Sequence, residues 1–284
     1  MKIVRALINS NIYISLAAVA FTIEAQIQLG LKPQWHPYLF IIFFATFFEY
    51  NLHRFITVIT NKEALNSDKH KWVKTNLKKF YALVILSIVG FIVVALMAKR
   101  EVLMALAPIA LITLFYSTPI PGNTKALFRL REIPYVKIFL ISAVWSSSTI
   151  LLPIIQSGLS FSNSDVIEML VERFFFVFAI AIPFDIRDAE ADKRAGLKTI
   201  PLLINKNRSM SLSYLFLLIF YLISTIHYFA DNSMYIIYAL SISTITTFIF
   251  LINRKIKRIP YYYYGVLDGT ILLQGLLVIA FYYL

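Results

Sequence analysis

The chain has 284 residues, of which 59% are hydrophobic and 15% charged, against about 45–50% and about 25% in an ordinary globular domain. Its apolar residues come in blocks and not at the period of an amphipathic helix or strand, which excludes most soluble folds. The net charge of +12 would suit nucleic acid only on a soluble basic face; a membrane surface accounts for it better, so a lipid bilayer and no nucleic acid is the expected partner. With no cysteine, a disulfide framework, a thiolate metal site and a catalytic thiol are all excluded.

A bilayer-spanning helix takes about 20 residues. Runs of that kind lie at 12–31, 37–60, 80–98, 102–118, 133–153, 166–184, 209–230, 235–253 and 260–283. They predict an all-α, polytopic integral membrane protein of nine transmembrane helices in a single domain, 1–284. With the N-terminus in the cytoplasm, 21 of the 27 Lys and Arg fall inside: Lys2 and Arg5, the lysines from Lys62 to Lys79, Lys125 with Arg129 and Arg131, the cations from Arg187 to Arg208, and Arg254 to Arg258. The positive-inside rule thus predicts a cytoplasmic N-terminus and an external C-terminus, in the cell inner membrane. Lys2 and Arg5 before an apolar stretch ending in Ala18-Val19-Ala20 have the look of a secretory leader. The stretch runs on toward Leu31 with Glu24 inside it, however, so it reads as the first span.

The most informative segment is PFDIRDAEADKRAGLKTIP, Pro183 to Pro201, at the end of the sixth span. On a helix Asp185, Asp188 and Asp192 share one face, with about 5–6 Å between neighbouring Cβ atoms, while Glu190 points elsewhere. Three such carboxylates repel one another unless a cation sits among them, and hard oxygen ligands select Mg²⁺ or Ca²⁺. Mg²⁺ typically bridges carboxylates to phosphates. Arg187, Lys193, Arg194 and Lys198 stand nearby to clamp phosphate charge; pairing of these acids and bases in a solvated loop is the plainer alternative. Glu24, Glu49 and Asp268 lie within apolar runs, where an ionisable group costs about 2.5–3.5 kcal/mol and needs a polar partner. Asp268 is expected to bond to a neighbouring helix or to position an acceptor hydroxyl. The histidines form no i,i+4 pair, so haem and zinc have no support.

Asp188-x-x-x-Asp192-x-x-x-Gly196-x-x-Thr199-x-Pro201, between two spans, resembles the second Asp-rich motif of the UbiA superfamily of intramembrane prenyltransferases, and the Asp185-Ile-Arg-Asp188 opening resembles members acting on quinone and chlorophyll-type precursors. The nine-span plan and the long basic loops after spans two and six extend the resemblance over nearly the whole chain. It implies a helical bundle around a central cavity open to lipid. A prenyl diphosphate would bind through Mg²⁺ at the cytoplasmic mouth, and its isoprenyl group would pass to an aromatic or other lipophilic acceptor. Asp185, Asp188 and Asp192 are then the catalytic and metal-binding residues. Related proteins contact diphosphate with a Tyr and basic residues between spans four and five, which implies Tyr116, Lys125, Arg129 and Arg131; Lys137 is expected only to snorkel from the start of span five.

The family's first motif, Asn-x-x-x-Asp with a further Asp four residues on, is degenerate here. Asn51 holds the Asn position, but Phe55 and Ile59 stand where the carboxylates belong. Asn51 could offer a carbonyl oxygen and Arg54 a fixed cation for diphosphate, with His53 assisting; the alternative is that Arg54 and His53 are interfacial residues. Two other readings stay open: a catalytically impaired relative that binds prenyl lipid or a membrane partner, and a secondary transporter, suggested by the similar placement of the Asn51 and Asp185 segments in spans two and six.

Overall fold

A computed structural model describes residues 2–60, 72–73, 75–118, 120–121, 127–160 and 162–284. Every expected run coincides with a helix. In chain order these are α1 (Lys2–Ser10), α2 (Ile12–Gln28), α3 (Pro37–Thr60), α4 (Leu77–Ala95), α5 (Arg100–Ser117), α6 (Val136–Ser157), α7 (Asn163–Arg194), the short α8 (Ile200–Ile204), α9 (Lys206–Ala230), α10 (Met234–Ile252) and α11 (Asp268–Tyr283). Two two-residue strands, Ile120–Pro121 and Leu127–Phe128, pair antiparallel between α5 and α6. Among the described residues seven helical segments are long and apolar enough to cross a membrane, the last running from Tyr262 to Tyr283; α2 becomes an eighth when taken with α1, from which it bends by 78°. The ninth run lies in α7, whose 32 residues span about 48 Å at the helical rise. Glu168, Glu172 and Arg173 make this run more polar than the other spans.

Neighbour contacts close a ring in the order α2, α3, α5, α6, α7, α9, α10, α11 and back to α2, with α4 outside on α3. Exposed Ile85, Leu86, Val89, Ile92 and Val93 along α4 are a surface suited to hydrocarbon, as expected of an integral membrane protein. The helices α2 and α11 approach closely. A Cβ on Gly275 would come within 2.6 Å of the backbone of Ala20, so only glycine lets these helices pack here. About halfway along the bundle, Phe21, Trp145 and Phe176 fill the interior between α2, α6 and α7.

Beside this plug lies a buried ionic network. Arg173 is 1% exposed and donates to the Phe21 carbonyl at 2.6 Å, Thr149 Oγ1 at 3.0 Å and Gln28 Oε1 at 2.7 Å. Its guanidinium is 3.3 Å from Glu24 and lies over the Phe21 ring. Glu24 also accepts from Gln274, which accepts from Ser243, while Glu172 accepts from Tyr228. Six helices are thereby tied by polar contacts that hydrocarbon leaves no water to replace. The Ala18-Val19-Ala20 stretch sits inside this core, with Glu24 paired four residues on.

Two substitutions test this packing. Gly275→Val should destabilise the protein by about 1–3 kcal/mol, the cost of overpacking. Arg173→Leu strands Glu24 and should cost about 3–5 kcal/mol, whereas Glu24→Gln should cost less because Arg173 keeps its three other acceptors. Thermal unfolding in detergent checks both, and an Arg173→Leu protein as stable as wild type would remove the network's structural role.

Candidate active site

The motif is built at one end of the bundle by α7 and the turn that follows it. Gly196 adopts φ +73°, the left-handed conformation that stops a helix, and Leu197 N–H bonds back to the Asp192 carbonyl at 2.9 Å. Thr199 precedes α8, with Pro201 in its first turn. The Gly, Thr and Pro of the motif therefore shape a reversal, and its aspartates lie on the helix before it. That reversal also sets the start of α6: Tyr135 N–H donates to the Lys198 carbonyl at 2.9 Å, which brings Lys137 opposite the aspartate face.

Lys137 is the pivot of the site. Its Nζ lies 2.8 Å from Asp185 Oδ1 and 3.2 Å from Asp192 Oδ2, with all three side chains buried. The expectation that Lys137 merely snorkels is corrected: two buried carboxylates hold the ammonium inside. Asp188 is more exposed and takes a bidentate contact from Arg187, Nε to Oδ1 at 2.8 Å and Nη2 to Oδ2 at 3.0 Å. The Arg187 guanidinium is caged at 5.2, 4.8 and 5.0 Å from the rings of Phe184, Tyr263 and Tyr264. Those tyrosines are presented by a π-helical turn, Tyr262–Leu267, leading into α11; such wide turns recur at functional sites.

A second chain of contacts comes from α3 and α5. Arg131 Nη1 is 3.1 Å from His53 Nε2, His53 Nδ1 is 3.3 Å from Ser117 Oγ, and Ser117 donates to Glu49. Arginine only donates, so His53 accepts at Nε2 and, when neutral, carries its proton on Nδ1 and passes it toward Ser117. Tyr116 lies 6.0 Å from the Arg131 guanidinium, against the His53 ring, within electrostatic reach of Lys137, Asp185 and Asp188. The site thus joins Asp185, Asp188, Asp192, Lys137, Arg187, Arg131 and Tyr116.

Other expected residues go elsewhere. Asn51 is fully buried, accepts from Asn11 and donates to the carbonyls of Ser10 and Phe47, while Arg54 donates to Asn9 O and Asn11 Oδ1. Both hold the elbow between α1 and α2, where Asn11 has φ 68°; this corrects their assignment to diphosphate, because their polar atoms are used in the bend. Phe55 packs against Phe80 and Tyr81 of α4. Arg129 pairs with Glu132 at 3.6 Å. Lys193 and Lys198 are exposed, Lys193 beside a surface groove it shares with Leu202 and Lys206, off the aspartate face. Lys125 lies outside the described residues. Asp268 is within electrostatic reach of Tyr13, Tyr50 and Tyr264.

The three aspartates do not fit a divalent ion among them as arranged. Asp185 and Asp192 are committed to Lys137 and Asp188 to Arg187, and among the described residues no three His, Cys, Asp or Glu side chains converge as such an ion requires.

A model of the UbiA prenyltransferase family matches residues 75–260. The chain belongs to that family. The matched stretch holds the aspartates, Lys137 and Tyr116, but begins after the degenerate segment around Asn51 and Phe55. Solved UbiA homologs share the fold at low identity. One from Archaeoglobus fulgidus is 15% identical with a TM-score of 0.59, over 94% of this chain and 96% of its own. The same homolog bound to GPP and Mg²⁺ is 15% identical with a TM-score of 0.57, over 95% and 99%. An apo homolog from Aeropyrum pernix K1 is 13% identical with a TM-score of 0.61, over 95% of each chain. No curated protein sequence matches the chain.

Asn51 provides the test of this partition. Asn51→Ala removes three hydrogen bonds at the elbow and should lower stability by about 1–3 kcal/mol while leaving the affinity for inorganic pyrophosphate unchanged. A large loss of that affinity at undiminished stability would return Asn51 to the site.

Proposed function

We propose that this UbiA family member transfers an isoprenyl group from a prenyl diphosphate to an aromatic or other lipophilic acceptor, in the biosynthesis of quinones or related isoprenoid lipids. The positive-inside distribution supports a motif end facing the cytoplasm, in the cell inner membrane, with the N-terminus on that side and the C-terminus outside. The observation that carries the reading is the convergence of Lys137, Arg187 and Arg131 with Asp188 and Tyr116 at one end of an apolar bundle. A ligand with a polyanionic head and an apolar tail matches both parts. GPP in the Archaeoglobus fulgidus homolog supports the same ligand class.

The chain's own groups suffice to describe the steps. Diphosphate oxygens accept from the free N–H of Lys137 and from the guanidinium groups of Arg187 and Arg131, charge-assisted bonds of about 1.5–3 kcal/mol each. As the allylic C–O bond breaks, its electron pair leaves with the diphosphate, and fixed cations stabilise the growing negative charge. Aromatic faces such as Tyr116 favour the allylic cation, and the apolar surroundings exclude water that would quench it. An electron pair of the acceptor closes the new bond, and the acceptor's proton is lost toward the His53–Ser117–Glu49 chain. Mg²⁺ accompanies GPP in the relative; the aspartates here do not fit that ion while Lys137 and Arg187 hold them, so no step is assigned to it.

The second reading, a relative that binds prenyl lipid without turning it over, is favoured by Phe55, which packs on α4 where the family carries a carboxylate. Transport has less support, since the motif charges lie at a bundle end and the deeper Arg173 cluster is sealed among six helices.

Purified protein in lipid nanodiscs, given Mg²⁺, radiolabelled prenyl diphosphates and a panel of phenolic and other lipophilic acceptors, should release diphosphate in an acceptor-dependent way. Asp188 holds the Arg187 guanidinium in place by a bidentate contact; Asp188→Ala removes that orientation from a donor to the leaving diphosphate and should slow release by roughly 100-fold. Retained prenyl diphosphate binding with no product from any acceptor would select the non-catalytic reading.

A further inference from the structure

Lys137 changes what the aspartate motif is able to hold. Its Nζ stands 2.8 Å from Asp185 and 3.2 Å from Asp192, and the three side chains are only 10%, 4% and 6% exposed. An ammonium has three N–H donors. Two point to these carboxylates and one is left. Arg187 neutralises Asp188, and Arg131 lies within electrostatic reach of it. Three acids therefore face three bases before any ligand arrives.

Among the described residues, the rest of the pocket adds no further ligand for a metal. Phe55 packs on Phe80 and Tyr81, Asn51 and Arg54 are used at the α1–α2 elbow, and Glu49 accepts from Ser117. A divalent ion entering alone would have to take Asp185 and Asp192 from Lys137 and leave a buried ammonium unpaired, which is strongly unfavourable. A diphosphate entering alone meets a preset cation with one donor to spare. The register that puts Lys137 there is fixed by backbone, through the Tyr135 N–H bond to the Lys198 carbonyl on the far side of the Gly196 turn.

We propose that Lys137 is a resident cation standing in the place of a divalent ion. The free protein then takes up no divalent ion on Asp185, Asp188 and Asp192, and the diphosphate head is received by Lys137 directly, any divalent ion arriving with the diphosphate instead of waiting on the motif. The identity of the ligand rests on the prenyl diphosphate reading above; the exclusion of ions by Lys137 does not.

The test separates the two. Mn²⁺ binding is followed by electron paramagnetic resonance on purified full-length protein in nanodiscs, without diphosphate, for wild type, Lys137→Met and Lys137→Arg. Wild type and the charge-preserving Lys137→Arg should leave Mn²⁺ free, whereas Lys137→Met should bind it at least about tenfold more tightly, an effect abolished by adding Asp185→Asn. Recovery of pyrophosphate binding by Lys137→Met in Mn²⁺, in the second arm, shows that this variant is folded. Wild type binding Mn²⁺ as tightly as Lys137→Met, or no variant binding it, would overturn the proposal. In a second arm, inorganic pyrophosphate is titrated in EDTA and in Mn²⁺. Wild type should bind in EDTA, and Lys137→Met should lose about tenfold there and recover in Mn²⁺; pyrophosphate binding indifferent to Lys137 would overturn its role as receiver. Failure of wild type to bind pyrophosphate in either condition would defeat the prenyl diphosphate reading, with the Mn²⁺ comparison still deciding whether Lys137 excludes the ion.

Discussion

One ammonium shared by two buried carboxylates organises the polar end of this protein. Carboxylates on a common helix face in an apolar bundle cannot stay ionised without compensating charge, and Lys137 supplies it from the start of the adjacent helix α6. The contact couples the ring's packing to the site, because α6 and α7 must keep their register for the three groups to meet. It is reinforced by the backbone bond from Tyr135 to Lys198, which depends in turn on the left-handed Gly196.

The polar interior is divided in two. The motif end holds charges at the rim of the bundle, where the proposed diphosphate would meet them; the Arg173 network, twelve residues or about 18 Å back along α7, holds charges satisfied by one another and by buried neutral groups of the surrounding helices. Between them, Phe21, Trp145 and Phe176 pack the centre. In a bilayer such a division is sensible. A sealed ionic cluster fixes which helices neighbour which, without competing for the ligand, and the ligand site can then keep donors that are not fully used.

Much of this was legible in the amino-acid order. Blocks of apolar residues gave nine spans because a bilayer imposes length, and the 185/188/192 spacing gave a shared face because the helix imposes period. The motif also announced its family, and its like charges on one helix face pointed to a divalent ion among three acids, where the structure sets Lys137 against Asp185 and Asp192 and Arg187 against Asp188. Which cation it was could not be read, since Lys137 is 48 positions before Asp185 and its approach depends on the turn at Gly196. The same limit explains Asn51 and Arg54: their place in a familiar pattern suggested a ligand, but a left-handed break at Asn11, invisible as a local signal, claims both. The Arg187 cage was missed because a run of tyrosines after a basic stretch looks like an ordinary interfacial belt, and only the π-helical turn aims two of them inward.

The elbow at Asn9 to Asn11 has a mechanical meaning of its own. Because α1 leaves α2 at 78°, it lies crosswise to the bundle, with Ile3 and Val4 outward and Ile8 tucked in, and Arg54 and Asn51 of α3 clamp the joint from below. A crosswise amphipathic segment rides at the boundary of oil and water, like a float fixed to a mast. In a chain embedded as proposed, the joint would hold α1 at that boundary, on the side from which a tailed anion would enter.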